Sequence, residues 1–176
     1  MACVGLFHKI GYLRRTCRIN RQANYYGIKM VIAYMLTWTT YGSWLQGDQR
    51  GWVKNGQIYR PDAELENANL QQMKTKSTIL SKEQKLLAAQ AITDEAAELK
   101  QKIFVLAVCS NHIHLVVQNI NLPIGRVVSH YKNAVRLALQ ENGFASKLWT
   151  GGFDKRYCMN IQELDAKINY VRKHEN

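Results

Sequence analysis

The sequence predicts an α+β fold: an antiparallel sheet with its helices packed on one face. Three observations predict it. A β-branched and aromatic run at 31–39 and apolar runs at 102–108 and 112–118 read as strands. Only Cys109-Ser110-Asn111 separates the last two, which makes them a hairpin. Segments with helical periodicity and helix-end signals lie between and after these strands. The resulting order is strand, helix, strand, strand, helix, strand, helix, which suits helices layered on an antiparallel sheet.

The elements follow in order. The first strand opens after Met30. A Gly- and Trp-rich connection follows at 41–53, and 54–80 reads as polar and irregular, with Pro61 as a breaker. A loop that long in a small domain is usually functional. Ser81 with Gln84 forms a capping box for a helix to about Lys100. After the hairpin, Pro123 opens a helix that Asn142-Gly143 ends. Trp149 to Met159 reads as a loop and a short strand around Gly151-Gly152. The last helix runs from about Gln162 to His174.

The 176 residues suit one domain, and 47% hydrophobic with 21% charged residues is ordinary for a soluble globular chain. The charge is less ordinary. Lys plus Arg number 24 against 13 Asp plus Glu, a net +11. Such a balance favours an anionic partner, nucleic acid first and an anionic membrane surface second. No apolar run reaches membrane-spanning length. The four cysteines show no Cys-x-x-Cys spacing, which argues against a zinc ribbon or redox motif. They read as reduced thiols of a cytoplasmic protein. Residues 1–29 contain no Asp or Glu but six Lys or Arg. They read as a basic extension, poorly ordered or added by an upstream start, with a transit peptide or a DNA-contacting arm as alternatives. The working domain is 30–176.

The chemistry centres on Asn111-His112-Ile113-His114-Leu115-Val116-Val117. Alternation along a strand points His112 and His114 to one face and Ile113, Leu115 and Val117 to the other. Two imidazoles so placed can share a metal ion. A bare His-x-His, however, is more often a polar pair on a solvated face. In the last helix Leu164, Ile168 and Val171 mark the buried stripe, with Tyr170 beside it and His174 one turn later. A tyrosine there suits a nucleophile next to a metal ligand, although an ordinary boundary tyrosine is the commoner case. The rival Tyr131 lies at the centre of its own helix's apolar stripe and reads as core. Arg126, Lys132 and Arg136 lie on or near that helix's exposed side as candidate phosphate contacts, as are Lys155 and Arg156. Trp38, Trp44, Trp52 and Trp149 offer stacking surfaces for unpaired bases, or core anchors.

These residues resemble the HUH-type single-tyrosine transposases, and closely the REP-associated tyrosine transposases of the IS200-like group. The resemblance covers most of 30–176. It rests on Tyr34 to Leu45 with Gly47-Asp48 and Arg50-Gly51-Trp52-Val53, on Asn111 to Val117, on Leu148-Trp149 through Lys155-Arg156-Tyr157, and on Ile168-Asn169-Tyr170-Val171-Arg172. It implies a ferredoxin-like HUH endonuclease fold, with His112 and His114 binding Mg2+ or Mn2+ and Tyr170 as the nucleophile. The implied activity is cleavage and rejoining of single-stranded DNA through a 5′-phosphotyrosine, as in transposition or repetitive-element processing. Its third metal ligand is usually an amide side chain one turn after the tyrosine. Here His174 stands there, a departure. Relatives often carry a short basic tail, whereas this sequence stops at Asn176. The implied partners are single-stranded or hairpin DNA, with Trp149 among the DNA-binding residues, and no membrane. A homodimer, with active sites built within one chain or across two, stays open. The alternative function is a catalytically idle DNA-binding relative. A zinc hydrolase is disfavoured because no His-Glu-x-x-His motif is present.

Overall fold

A computed structural model describes residues 30–54 and 57–174; the basic stretch 1–29 lies outside the described residues. A four-stranded antiparallel sheet organises the chain, in the order β4 (Ile103–Val108), β5 (His112–Gln118), β1 (Ala33–Thr39), β6 (Asp154–Cys158). The hairpin expected at 102–118 is β4–β5. Strand β1 sits between β5 and β6, pairing Thr37 with His114 on one side and Asp154 on the other.

The α+β class and the antiparallel sheet are as the sequence predicts, but the helices do not all share one face. Helices α2 (Lys82–Glu98) and α3 (Ile124–Glu141) pack on each other and on Tyr34, Leu36, Trp38, Ile113, Leu115 and Val117. Helix α4 (Ile161–Arg172) covers part of the opposite face, setting Leu164, Ile168 and Val171 against Met35, Val105 and Val116. The physical reason lies in the central strands. Ala33 to Leu36 is buried at every position, so both faces of β1 are apolar there and both need cover. An apolar run without alternation carried that signal.

The end signals act as expected. Ser81 Oγ accepts from the Gln84 amide while Gln84 Oε1 accepts from the Ser81 amide. Gly143, at φ 83°, follows α3 in the left-handed region. The segment at 54–80 holds more structure than expected. Strands β2 (Trp52–Lys54) and β3 (Gln57–Tyr59) form a small hairpin, and α1 (Ala63–Gln71) follows, capped by the Asp62 carboxylate on the Leu65 amide. Helix α1 buries no residue, so no apolar period marks it in the sequence.

Cys158 is a buried free thiol, as the sequence leads one to expect; Cys3 and Cys17 lie outside the described residues. No helix among the described residues is long and apolar enough to cross a membrane.

Candidate active site

Strand alternation builds the first half of the site. Ile113, Leu115 and Val117 enter the core under α2 and α3, so His112 and His114 emerge on the α4 side. There His114 lies opposite Thr37 and His112 opposite Thr39. The second half comes from α4. Asn160 caps it by accepting from the Glu163 amide, and Leu164 and Val171 anchor it to the sheet. That anchoring turns Tyr170 and the following His174 toward the histidines of β5. The ring centroids stand 4.7 Å apart for His112 and His114, 4.9 Å for His114 and His174, and 6.4 Å for His112 and His174. Tyr170 lies 5.7 Å from His114 and 4.6 Å from His174. Four residues separated by as many as 62 positions in sequence thus share one surface.

Each imidazole is held through Nδ1. His112 bonds the Asn111 amide oxygen at 2.7 Å, His114 the Thr37 hydroxyl at 2.8 Å, and His174 the Tyr170 carbonyl at 2.9 Å. A carbonyl oxygen can only accept, so neutral His174 carries its proton on Nδ1 and leaves the Nε2 lone pair open. The Asn111 oxygen imposes the same tautomer on His112. The Thr37 hydroxyl can donate or accept, so it leaves the His114 tautomer undetermined. Burial pushes the His114 imidazole down to about 3, helped by the neighbouring His112 and His174. Burial also lowers His112, with His174 and then Arg50 adding to the effect. Both rings are therefore neutral near neutral pH, the form that ligates metals.

Neutral imidazoles fixed through the far nitrogen are the usual form of metal-binding histidines. The donor set therefore fits a divalent cation. Among the described residues, no group of three or more His, Cys, Asp or Glu side chains already stands in metal-holding geometry. The cluster is open, and the His112–His174 pair is the wide one.

Two adjoining cavities meet here. A pocket of about 210 Å³ lies over the three histidines, with Arg50 in its wall. A cleft of about 610 Å³ adjoins it, with Trp44, Trp52, Phe153 and Arg156 among its lining residues. His114 and Tyr170 line both. Tyr170 is 45% exposed. Tyr131, by contrast, is fully buried, donates its hydroxyl to Gln101 Oε1 at 2.6 Å, and is raised far above the usual phenol range by burial.

The basic residues proposed for phosphate contact scatter. Arg126 and Arg136 are exposed on α3, across the sheet from the histidines; Arg136 bonds Gln140 and Asn133. Lys132 is half-buried on the same helix and donates to the Thr150 and Gly152 carbonyls, so it braces the loop before β6. On β6, the register places Arg156 opposite Met35, on the site's face, and Lys155 opposite Leu36, on the other. Trp149 packs edge-on against Trp38 at 6.2 Å and donates to the Lys132 carbonyl. Sequence reasoning gave no role to Thr37, to the Asn111 side chain or to Arg50. The first required the strand register. The other two stood inside quoted motifs without a partner to explain them.

No protein-family profile and no curated protein sequence matches the chain. Solved structures do. A REP-associated tyrosine transposase bound to a REP hairpin superposes with a TM-score of 0.51 at 10% identity, over 80% of this chain and 64% of that one. This chain therefore spans less than two thirds of that protein's length. A transposase candidate from Deinococcus radiodurans aligns with a TM-score of 0.44 at 14% identity, over 85% of this chain and 95% of that one, too loosely to argue from. The first likeness establishes the fold: this α+β chain has the architecture of a REP-associated tyrosine transposase.

Proposed function

We propose that the chain is a tyrosine nuclease of the transposase kind, which cuts and rejoins single-stranded or hairpin DNA. One observation carries the reading: the Tyr170 phenol stands on the same surface as three imidazoles whose Nδ1 atoms are already engaged. The net charge of +11 supports a DNA partner.

In this reading His112, His114 and His174 are the residues that would hold one Mg2+ or Mn2+, which would supply positive charge at the scissile phosphate when bound. The Tyr170 oxygen attacks phosphorus, forming a Tyr–O–P bond while the bond to the 3′-oxygen breaks. The phenol proton leaves to solvent and the departing 3′-oxygen takes one up. The product is a 5′-phosphotyrosine and a free 3′-hydroxyl. Rejoining is the reverse, so the covalent bond conserves the energy of the phosphodiester. Exposure of Tyr170 suits an incoming strand, while burial denies Tyr131 any access to one.

The test is incubation of the full chain with a single-stranded hairpin and Mn2+, followed by a denaturing gel. A covalent protein–DNA band that Tyr170→Phe abolishes is the expected result. DNA binding without any band would point to the idle DNA-binding relative. A band that survives Tyr170→Phe would move the nucleophile elsewhere.

A further inference from the structure

The loop before β2 contains a charged group that the chemistry above does not use. The Arg50 Nε and Nη2 atoms donate to the two Asp48 carboxylate oxygens at 2.8 and 2.6 Å, and Nη2 also reaches the Ser43 carbonyl at 3.0 Å. Its guanidinium lies 5.1 Å from the centre of the Trp44 ring. Trp44 is fixed in turn, donating Nε1 to the Gly51 carbonyl at 2.8 Å. Asp48 is only 6% exposed, and its Oδ1 also accepts the Arg50 amide. The loop is seated on α1 at Gly47, where φ is 99° and a Cβ would collide with the Asp62 carbonyl and the Glu66 amide. A long side chain on a surface loop normally loses several rotors to make a contact. Here its orientation is set in advance by a bidentate carboxylate, a backbone carbonyl and an aromatic face.

That orientation leaves Nη1, with two N–H donors, without a hydrogen-bond partner among the described residues. Arg50 also lines the pocket over the histidines, where among the described residues it is the only Lys, Arg, Asp or Glu side chain in the wall. The partner carboxylate cancels part of the charge, yet the open donors still match an oxyanion. We propose that Arg50 is an anion-binding residue of the site, placed by Asp48 and Trp44 to donate from Nη1 to a non-bridging oxygen of a DNA phosphodiester beside Tyr170. This proposal rests on the nuclease reading for its substrate. It adds a preorganised cation, supplied by the loop, to the histidines and the tyrosine. Donors fixed before the phosphate arrives need no reorganisation as charge develops on it.

The test separates this proposal from the nuclease reading. Binding of an unstructured single-stranded oligonucleotide is titrated at several salt concentrations in a Tyr170→Phe background, so that no covalent bond intervenes. Loss of one phosphate contact lowers the log–log salt slope by about 0.7. Arg50→Met is expected to show that loss, and Arg50→Lys, which keeps the charge, to retain most of the slope. In the Tyr170 chain, Arg50→Met is expected to slow adduct formation by about 10² or more. An unchanged slope and an unchanged rate in Arg50→Met would overturn the proposal while leaving the nuclease reading intact. So would equal slopes in Arg50→Met and Arg50→Lys, which would mark Arg50 as a strut of the loop. If wild-type protein forms no adduct but Arg50→Met still lowers the slope and Arg50→Lys does not, the nuclease reading fails and Arg50 stands as an anion contact.

Discussion

His174 donates Nδ1–H to the carbonyl oxygen of Tyr170, 2.9 Å away and one turn earlier in the chain. The bond ties an imidazole to the backbone of the residue proposed to attack phosphorus. It fixes the His174 tautomer, so Nε2 carries the lone pair, and it holds the two rings 4.6 Å apart. A shift in this last turn would therefore move the proposed ligand and the proposed nucleophile together.

The first prediction concerns that turn. A glutamine reaches about as far as a histidine and presents an amide oxygen that can ligate a hard cation. His174→Gln is expected to retain Mn2+-supported adduct formation, while His174→Ala loses most of it and weakens Mn2+ binding. Equal activity in both variants, with unchanged Mn2+ affinity by calorimetry, would show that His174 is not a ligand.

A second prediction addresses the groups behind the proposed ligands. Thr37 and Asn111 hold His114 and His112 through Nδ1. Removing such partners typically costs about 10–100-fold in metal affinity. Thr37→Val and Asn111→Ala should each weaken Mn2+ binding by that order without unfolding the chain. Thr37 is the sharper case, because its variant keeps the shape and removes only the hydroxyl. Unaltered affinity in Thr37→Val would mean that packing alone positions His114.

The buried phenols give a pH prediction. Burial raises Tyr131 first, with Tyr34 and then Glu95 adding to it, and burial raises Tyr34 against the lowering effect of its Gln101 bond. Gln101 joins the two, donating to the Tyr34 oxygen at 3.0 Å and accepting from Tyr131 at 2.6 Å. A phenol raised on folding contributes stability that is complete below its unfolded value, about 10, and is lost as pH climbs toward the folded value. The chain should thus lose stability above about pH 10. Tyr131→Phe should be less stable at neutral pH by about 1–3 kcal/mol, because it strands the Gln101 oxygen, yet its stability should decline less with alkali. Denaturant melts at pH 8 and pH 11 would decide. The same variant should keep forming the adduct.

Much of this was legible in the sequence for definable reasons. His112 and His114 share a face because a strand has period two, which needs no knowledge of the partner strand. The phase of Tyr170 against Leu164, Ile168 and Val171 likewise follows from one helix alone. What the sequence hid was relative placement. That α4 lies on the face opposite α2 and α3 depends on which side of β1 each stripe covers, and β1 is apolar on both. The Thr37–His114 bond depends on register between residues 77 positions apart. Helix α1 carried no apolar period because it buries nothing, and only the Asp62 cap marked it.

The last prediction follows from that division of faces. Arg156 is 61% exposed along its side chain, lines the cleft beside Tyr170, and pairs with Asp154 at 3.1 Å. Arg136 stands on α3 across the sheet and bonds only neighbours on its own helix. An exposed pair such as Arg156–Asp154 contributes little to stability, so Arg156 can turn toward a passing phosphate at small cost. A strand bound in the cleft beside Tyr170 shares it with Arg156, whereas Arg136 lines neither cavity. Arg156→Ala should therefore lower the log–log salt slope for a single-stranded oligonucleotide by about 0.7, and Arg136→Ala should leave it unchanged. Thermal melts should find both variants folded. The reverse ranking, with Arg136 carrying the salt dependence, would place the DNA along α3 and separate binding from the histidine cluster.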